Sequence, residues 1–248
     1  MISGAIVPHA PLLIERLACD ETRRAGDAVR ASVGALDLGR ADLVILLSPH
    51  GARTGVYGAL AGSLHDHGVG GVEASQATDA AALRALAEAW GVEVLDQPAD
   101  HGVVVPLLLR EWRLPVVAAC FEDEAAGGGP PAERATELGR ALADAVEDLA
   151  ESAHVALVAS ANGAIGLTPR APLTELPGAL AAERDLLAAI EEDVGLVEDA
   201  ARTLAAAGGS CAVGPLTALA RLLSGRPGRV LVHECPVGVG YLVAEVGP

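Results

Sequence analysis

The sequence predicts an α/β fold, a single-domain sandwich with a central, mostly parallel or mixed sheet flanked by helices. Short apolar runs of strand length alternate with longer stretches of helical period, the order expected of βαβ units. The 248 residues are within reach of one large α/β domain and long enough to bury a substantial core. Aromatic residues make up only 2% of the chain, so that core must be built from Val, Leu, Ile and Ala.

Residues 2–7 read as a strand, the stretch from Glu15 to Leu36 as an amphipathic helix, and 43–48 as a second apolar strand. Residues 77–90 carry a helical pattern, 115–121 (PVVAACF) a strand, 132–151 a helix, and 155–160 (VALVAS) a buried strand. Helices near 178–193, 196–207 and 215–224 then lead to strands near 229–233 and 239–245. The GGGPP run at 127–131 is a loop too short to separate domains, and no internal repeat has a fixed period, so residues 1–248 are read as one domain.

Composition excludes several functions. The formal net charge of -16 works against a polyanionic partner, because phosphate binding draws on clustered Lys and Arg, and nucleic acid is not expected as a ligand. All 17 basic residues are Arg. Schiff-base chemistry, a P-loop lysine and a Ser-Lys dyad are thereby ruled out, and together with the heavy use of Ala and Gly this suggests a GC-rich bacterial genome. The four cysteines, Cys19, Cys120, Cys211 and Cys235, form no CxxC pair, which argues against a disulfide scaffold or zinc ribbon. No basic leader segment is evident and no apolar run approaches the ~18 residues that cross a bilayer, so the expectation is a soluble cytoplasmic protein without a membrane partner. Neither GVGGV near 68–72 nor GVGY near 238–241 completes a dinucleotide fingerprint, and there is no GxSxG elbow.

The chemistry is therefore sought among histidines, acids and cysteines. His9 and His50 each follow a short apolar strand, in IVPHAP and LLSPHG, and ligands of open α/β sheets bind beyond the carboxyl ends of the strands. Two neutral imidazoles meeting there suggest a metal; the alternative is two turn residues. His101, in DHGVVVPLLL, adds a third candidate. His65 and His67, in LHDHGVGG, read as a solvated loop, His154 as a strand boundary, Glu234 as a strand terminator with a swing toward the site as a ligand the alternative, and the acids between Glu183 and Asp199 as a solvated helix face.

The segments IVPHAPLLI, LLSPHG, DHGVVVPLL, LVAS with LTPRAP after it, and PVGVGYLVA occur in this order over nearly the whole chain. As an ordered set they resemble the class III extradiol ring-cleavage dioxygenase superfamily, which includes the β-subunit type of protocatechuate 4,5-dioxygenase and the related Memo proteins. The resemblance implies that His9 and His50 are ligands of a divalent metal ion, Fe(II), and that His101 is a catalytic histidine assisting substrate or dioxygen. In ring-cleaving members two histidines and a Glu hold Fe(II) on one face, leaving the other open for a small catechol-type aromatic and O₂. An imidazole of ordinary pKa ~6.5 suits proton transfer beside it.

Two positions depart from that pattern. Counting back from LTP puts Ile165 where ring-cleaving members carry a catalytic His, and an isoleucine transfers no proton. Asn162 nearby is a candidate for binding substrate through hydrogen bonds, or a turn former in Asn-Gly. Ser210 stands at the position of the family's Glu. Cys211 beside it is either a small buried filler or, as resemblance to the Memo branch implies, a ligand joining the two histidines, a set that favours copper or zinc over iron. The sequence thus leaves open an iron oxidoreductase, a Memo-like copper- or zinc-binding protein, and a non-catalytic ligand-binding member. A Cys-His hydrolase built on Cys211 and His101 is a weaker fourth reading, because no acid is marked to orient the histidine. Its 51% apolar residues leave room for a homo-oligomeric interface, but no segment marks one.

Overall fold

The structure is a computed structural model that describes residues 1–68, 70–122, 132–172 and 174–247. The GGGPP run lies outside the described residues. The first strand, β1 (Ile2–Val7), is followed by a 3₁₀ turn at Pro11–Leu13, by α1 (Asp20–Ala35) and by β2 (Leu43–Gly51). Short strands β3 (Gly55–Tyr57), β4 (Leu60–Ser63) and β5 (Glu73–Gln76) precede α2 (Ala80–Trp90) and β6 (Glu93–Leu95). Next come α3 (His101–Leu109), β7 (Val116–Glu122), α4 (Ala132–Ala150) and β8 (Val155–Ser160). The helices α5 (Ala179–Glu192), α6 (Val197–Gly208) and α7 (Val213–Leu222) lead to β9 (Arg229–Glu234) and β10 (Tyr241–Val246).

Eight strands form one mixed sheet in the order β6-β3-β7-β2-β8-β1-β10-β9. Its centre, β7-β2-β8-β1, is parallel throughout, while β10 runs antiparallel to β1 and β9 antiparallel to β10. β4 and β5 pair as a separate hairpin. The central strands are buried on both faces, which is why they read as continuous apolar runs. Alternate residues serve two cores. Leu43, Ile45 and Leu47 pack with α2, α4, α5, α6 and α7, whereas Val44 and Leu46 pack with α1, α3 and the hairpin.

The structure shifts the expected elements in informative ways. The first helix begins at Asp20, not Glu15, because Pro11–Leu13 forms its own 3₁₀ turn and Cys19 is extended. α3 carries no helical stripe, since six of its nine residues are buried and VVV followed by a proline reads like a strand. It is a helix because Asp100 caps its first turn, accepting from Gly102 N–H at 2.6 Å. The acidic helix face predicted to be solvated is not uniformly so. Glu183 on α5 is only 1% exposed, accepts from Ala164 N–H at 2.6 Å and faces His233 Nε2 at 2.8 Å. Gly163 and Gly240 flank this carboxylate so closely that a Cβ at either would collide with it.

Candidate metal centre

The parallel strands β1, β8 and β2 lie side by side, so their carboxyl ends open onto one edge of the sheet. β1 delivers His9 two residues past its end. β2 delivers His50 within its last turn of ladder, where the pairing with β7 is irregular between Ser48 and Gly51. Pro49 sits in that interval and has no N–H for a ladder bond, which accounts for the break. Cys211 arrives from the short connection between α6 and α7. These three side chains converge: His9 Nε2 is 3.1 Å from His50 Nε2, and Cys211 Sγ is 3.6 Å from His9 Nε2 and 3.4 Å from His50 Nε2.

The spacing fits a shared cation. Tetrahedral ligands with metal–nitrogen bonds of about 2.05 Å and metal–sulfur bonds of about 2.3 Å stand roughly 3.3 Å apart for N···N and roughly 3.6 Å for N···S. His9 is 1% exposed, and its pKa is held well below 6.5 by burial first and then by the neighbouring His50 and His101. A buried imidazole kept neutral is in its ligand form. Among the described residues, His9, His50 and Cys211 are the one group of potential ligands close enough to hold an ion, and it contains no carboxylate.

Hydrogen bonds anchor the histidines from behind. Ser160, the last residue of β8, has its Oγ 3.1 Å from His9 Nδ1 and donates to Gly102 C=O at 2.6 Å. Asn162 Oδ1 accepts from His9 N–H at 3.2 Å, and Asn162 C=O accepts from Ser210 Oγ at 3.2 Å. Asn162, proposed from the sequence as a substrate ligand, thus spends its side-chain oxygen on the main chain of His9. Ser210, at the position expected for the family's carboxylate, is buried against the same loop. Ser48 Oγ accepts from His50 N–H at 3.2 Å and donates to Asp100 Oδ1 at 2.6 Å, while Tyr57 Oη donates to Asp100 Oδ2 at 2.5 Å. Burial, reinforced by Asp100, pushes the Tyr57 phenol far above its ordinary range, which keeps it a donor.

His101 opens α3 beside the cluster. Its ring stacks on His50, with centroids 4.1 Å apart and planes at 28°, and lies 5.6 Å from His9. His67, read as part of a solvated loop, is exposed on a short 3₁₀ turn, His65–His67, yet its ring meets that of His101 edge-on at 4.6 Å. Ile165 is half-buried among the apolar residues on the α1 side of the sheet. Glu234 is exposed at the end of β9, and His154 immediately precedes β8, as the sequence suggested. All four cysteines are free thiols.

Ser48, Tyr57, Asp100 and Ser160 were not singled out by sequence reasoning, and His67 was read only as part of a solvated loop. Asp100 left a readable signal, a cap residue directly before His101. The serines end strands beside the histidines, but a lone serine at a strand end carries no chemistry until its partner is placed.

No family profile and no curated protein matches this chain. Among solved structures, it is similar to the crystal structure of the uncharacterized protein JW3007 from Escherichia coli K12. The likeness covers 100% of both chains, with a TM-score of 0.63 and 18% sequence identity. It supports the α/β architecture. No helix among the described residues is long and apolar enough to cross a membrane.

Proposed function

We propose that this protein is a metal-ion-binding member of the class III extradiol dioxygenase-like fold, holding copper or zinc through His9, His50 and Cys211. The observation that carries the reading is the convergence of Cys211 Sγ and two imidazole Nε2 atoms at the separations of a tetrahedral N₂S set. A thiolate favours Cu(I) and Zn over Fe(II). The iron-dependent ring-cleaving alternative needs a carboxylate, and among the described residues the group close enough to hold an ion contains none, while Asp100, next to His101, is taken up by Ser48, Tyr57 and Gly102.

His9, His50 and Cys211 would be the residues that hold the ion, and a bound ion would supply Lewis acidity to a small molecule. His101, stacked on His50, is the residue placed to exchange a proton with such a ligand. The substrate class proposed by resemblance is a small catechol-type aromatic, bound without nucleic acid or membrane.

Metal content by mass spectrometry tests this on protein purified without added metal and after loading with Zn, Cu or anaerobic Fe(II). Near-stoichiometric zinc or copper that is lost in the His9→Ala His50→Ala variant is expected. Iron retained in preference to both would restore the ring-cleaving reading, and no metal under any loading would reject the centre.

A further inference from the structure

We propose that Ser160 is the positioning residue that fixes His9 as its Nδ1–H tautomer, and so presents the Nε2 lone pair to His50 and Cys211. A serine hydroxyl carries a single proton. That of Ser160 is given to Gly102 C=O at 2.6 Å, an acceptor with nothing to return. The 3.1 Å contact between Ser160 Oγ and His9 Nδ1 must therefore take its proton from the ring, and the main-chain carbonyl of Ser160 is a second acceptor for that proton. With Nδ1 protonated and the ring neutral, Nε2 is the unprotonated nitrogen, and Nε2 is the atom that faces Cys211 and His50.

Burial makes this direction decisive. Ser160 is 0% and His9 1% exposed, so the opposite tautomer would either set two lone pairs against each other or draw the hydroxyl proton away from Gly102 C=O, with no solvent to relieve the loss. The fold places the hydroxyl where it can act on both sides of the site. β8 lies between the strands that carry His9 and His50, and Gly102 follows His101 in the first turn of α3. One hydroxyl thus ties the ring orientation of His9 to the start of the helix that carries His101, while Asn162 fixes the His9 main chain independently. The tautomer stands on hydrogen bonding alone; only its consequence for affinity rests on the metal-centre reading.

Long-range proton–nitrogen correlation spectra of the ¹⁵N-labelled, metal-free protein at mildly alkaline pH test the assignment, with the His9 signals identified by their loss in His9→Gln. The expected spectrum has a protonated Nδ1 and an unprotonated Nε2. Ser160→Ala, which keeps the main-chain carbonyl beside the ring, should raise the share of the Nε2–H form and weaken zinc binding roughly 10- to 100-fold, the usual effect of removing an outer hydrogen bond to a ligand. Ser160→Thr, which keeps a hydroxyl, should restore the Nδ1–H form. An Nε2–H ring in the unsubstituted protein overturns the proposal without any variant having to fold, and so does a Ser160→Ala protein that keeps both the tautomer and the zinc affinity. A protein with the expected tautomer that binds no metal upholds the role of Ser160 and rejects the metal centre, so the two failures are distinct.

Discussion

At the scale of residues, the centre is defined by which imidazole stays neutral and what backs it. His9 is buried and its pKa is depressed, so between the folded value and 6.5 the unfolded chain binds a proton that the folded chain refuses. Stability of the metal-free protein therefore rises with pH through that window and is lost on acidification below 6.5, with a slope of up to about 1.4 kcal/mol per pH unit from this ring. Denaturant titrations in a chelator should show a flatter pH dependence for His9→Gln; an unchanged slope would mean that the ring is not held neutral. Cys211→Ser keeps the size of the side chain but replaces a soft sulfur with a hard oxygen. Its zinc affinity should fall more than about 100-fold, beyond the range of an outer-shell loss, in a competition assay with a chromophoric chelator. His9, His50 and His101 were legible in the sequence because each stands at a recognisable end of an apolar run. The choice between ligand and filler for Cys211 was not legible, because it depends on where the connection between α6 and α7 lands relative to two strands far away in sequence.

At the scale of elements, α3 and the loop after β8 do the positioning. Asp100 caps α3 and also accepts from Ser48 and Tyr57, so one carboxylate fixes the start of the helix, the strand end that bears His50 and a buried phenol. Asp100→Ala removes the cap and strands the Tyr57 hydroxyl. It should cost about 3 kcal/mol in chemical denaturation, and a cost under about 1 kcal/mol would show that the network is dispensable. The loop after β8 is clamped by Gly163 N–H to Gly240 C=O and Gly240 N–H to Ala164 C=O, both at 2.8 Å, around the buried Glu183. Gly240→Ala drives a methyl into that carboxylate and should destabilise by roughly 2 kcal/mol, seen as a lower Tm. The long amphipathic helices and the apolar strands were readable because their periods are strong. α3 was not readable, since a helix buried nearly all round has no stripe, and Glu183 was mistaken for surface because its burial comes from Gly163, Ala164, His233 on β9 and Gly240, which close over it from other parts of the chain.

At the scale of the molecule, a parallel four-stranded centre brings β1, β8 and β2 together, and this adjacency turns residues at 9, 50, 160 and 211 into one site. The βαβ rhythm revealed the class of fold, but strand order is set by long-range packing. The sequence alone did not place β8 between the two histidine strands. If the three side chains hold an ion as proposed, they do so only in the folded chain, and metal should stabilise by linkage: at a free zinc concentration of about 1,000 Kd the gain would be about 4 kcal/mol. Thermal unfolding with and without zinc should show that rise in the unsubstituted protein and none in His9→Ala His50→Ala.

The central claim is that His9, His50 and Cys211 together ligate one ion, and X-ray absorption at the zinc edge of the loaded protein tests it most directly. The account predicts one sulfur scatterer at about 2.3 Å, with imidazole nitrogens at about 2.0–2.1 Å, and loss of the sulfur shell in Cys211→Ser. A first shell of nitrogen and oxygen only, unchanged by that substitution, would contradict it.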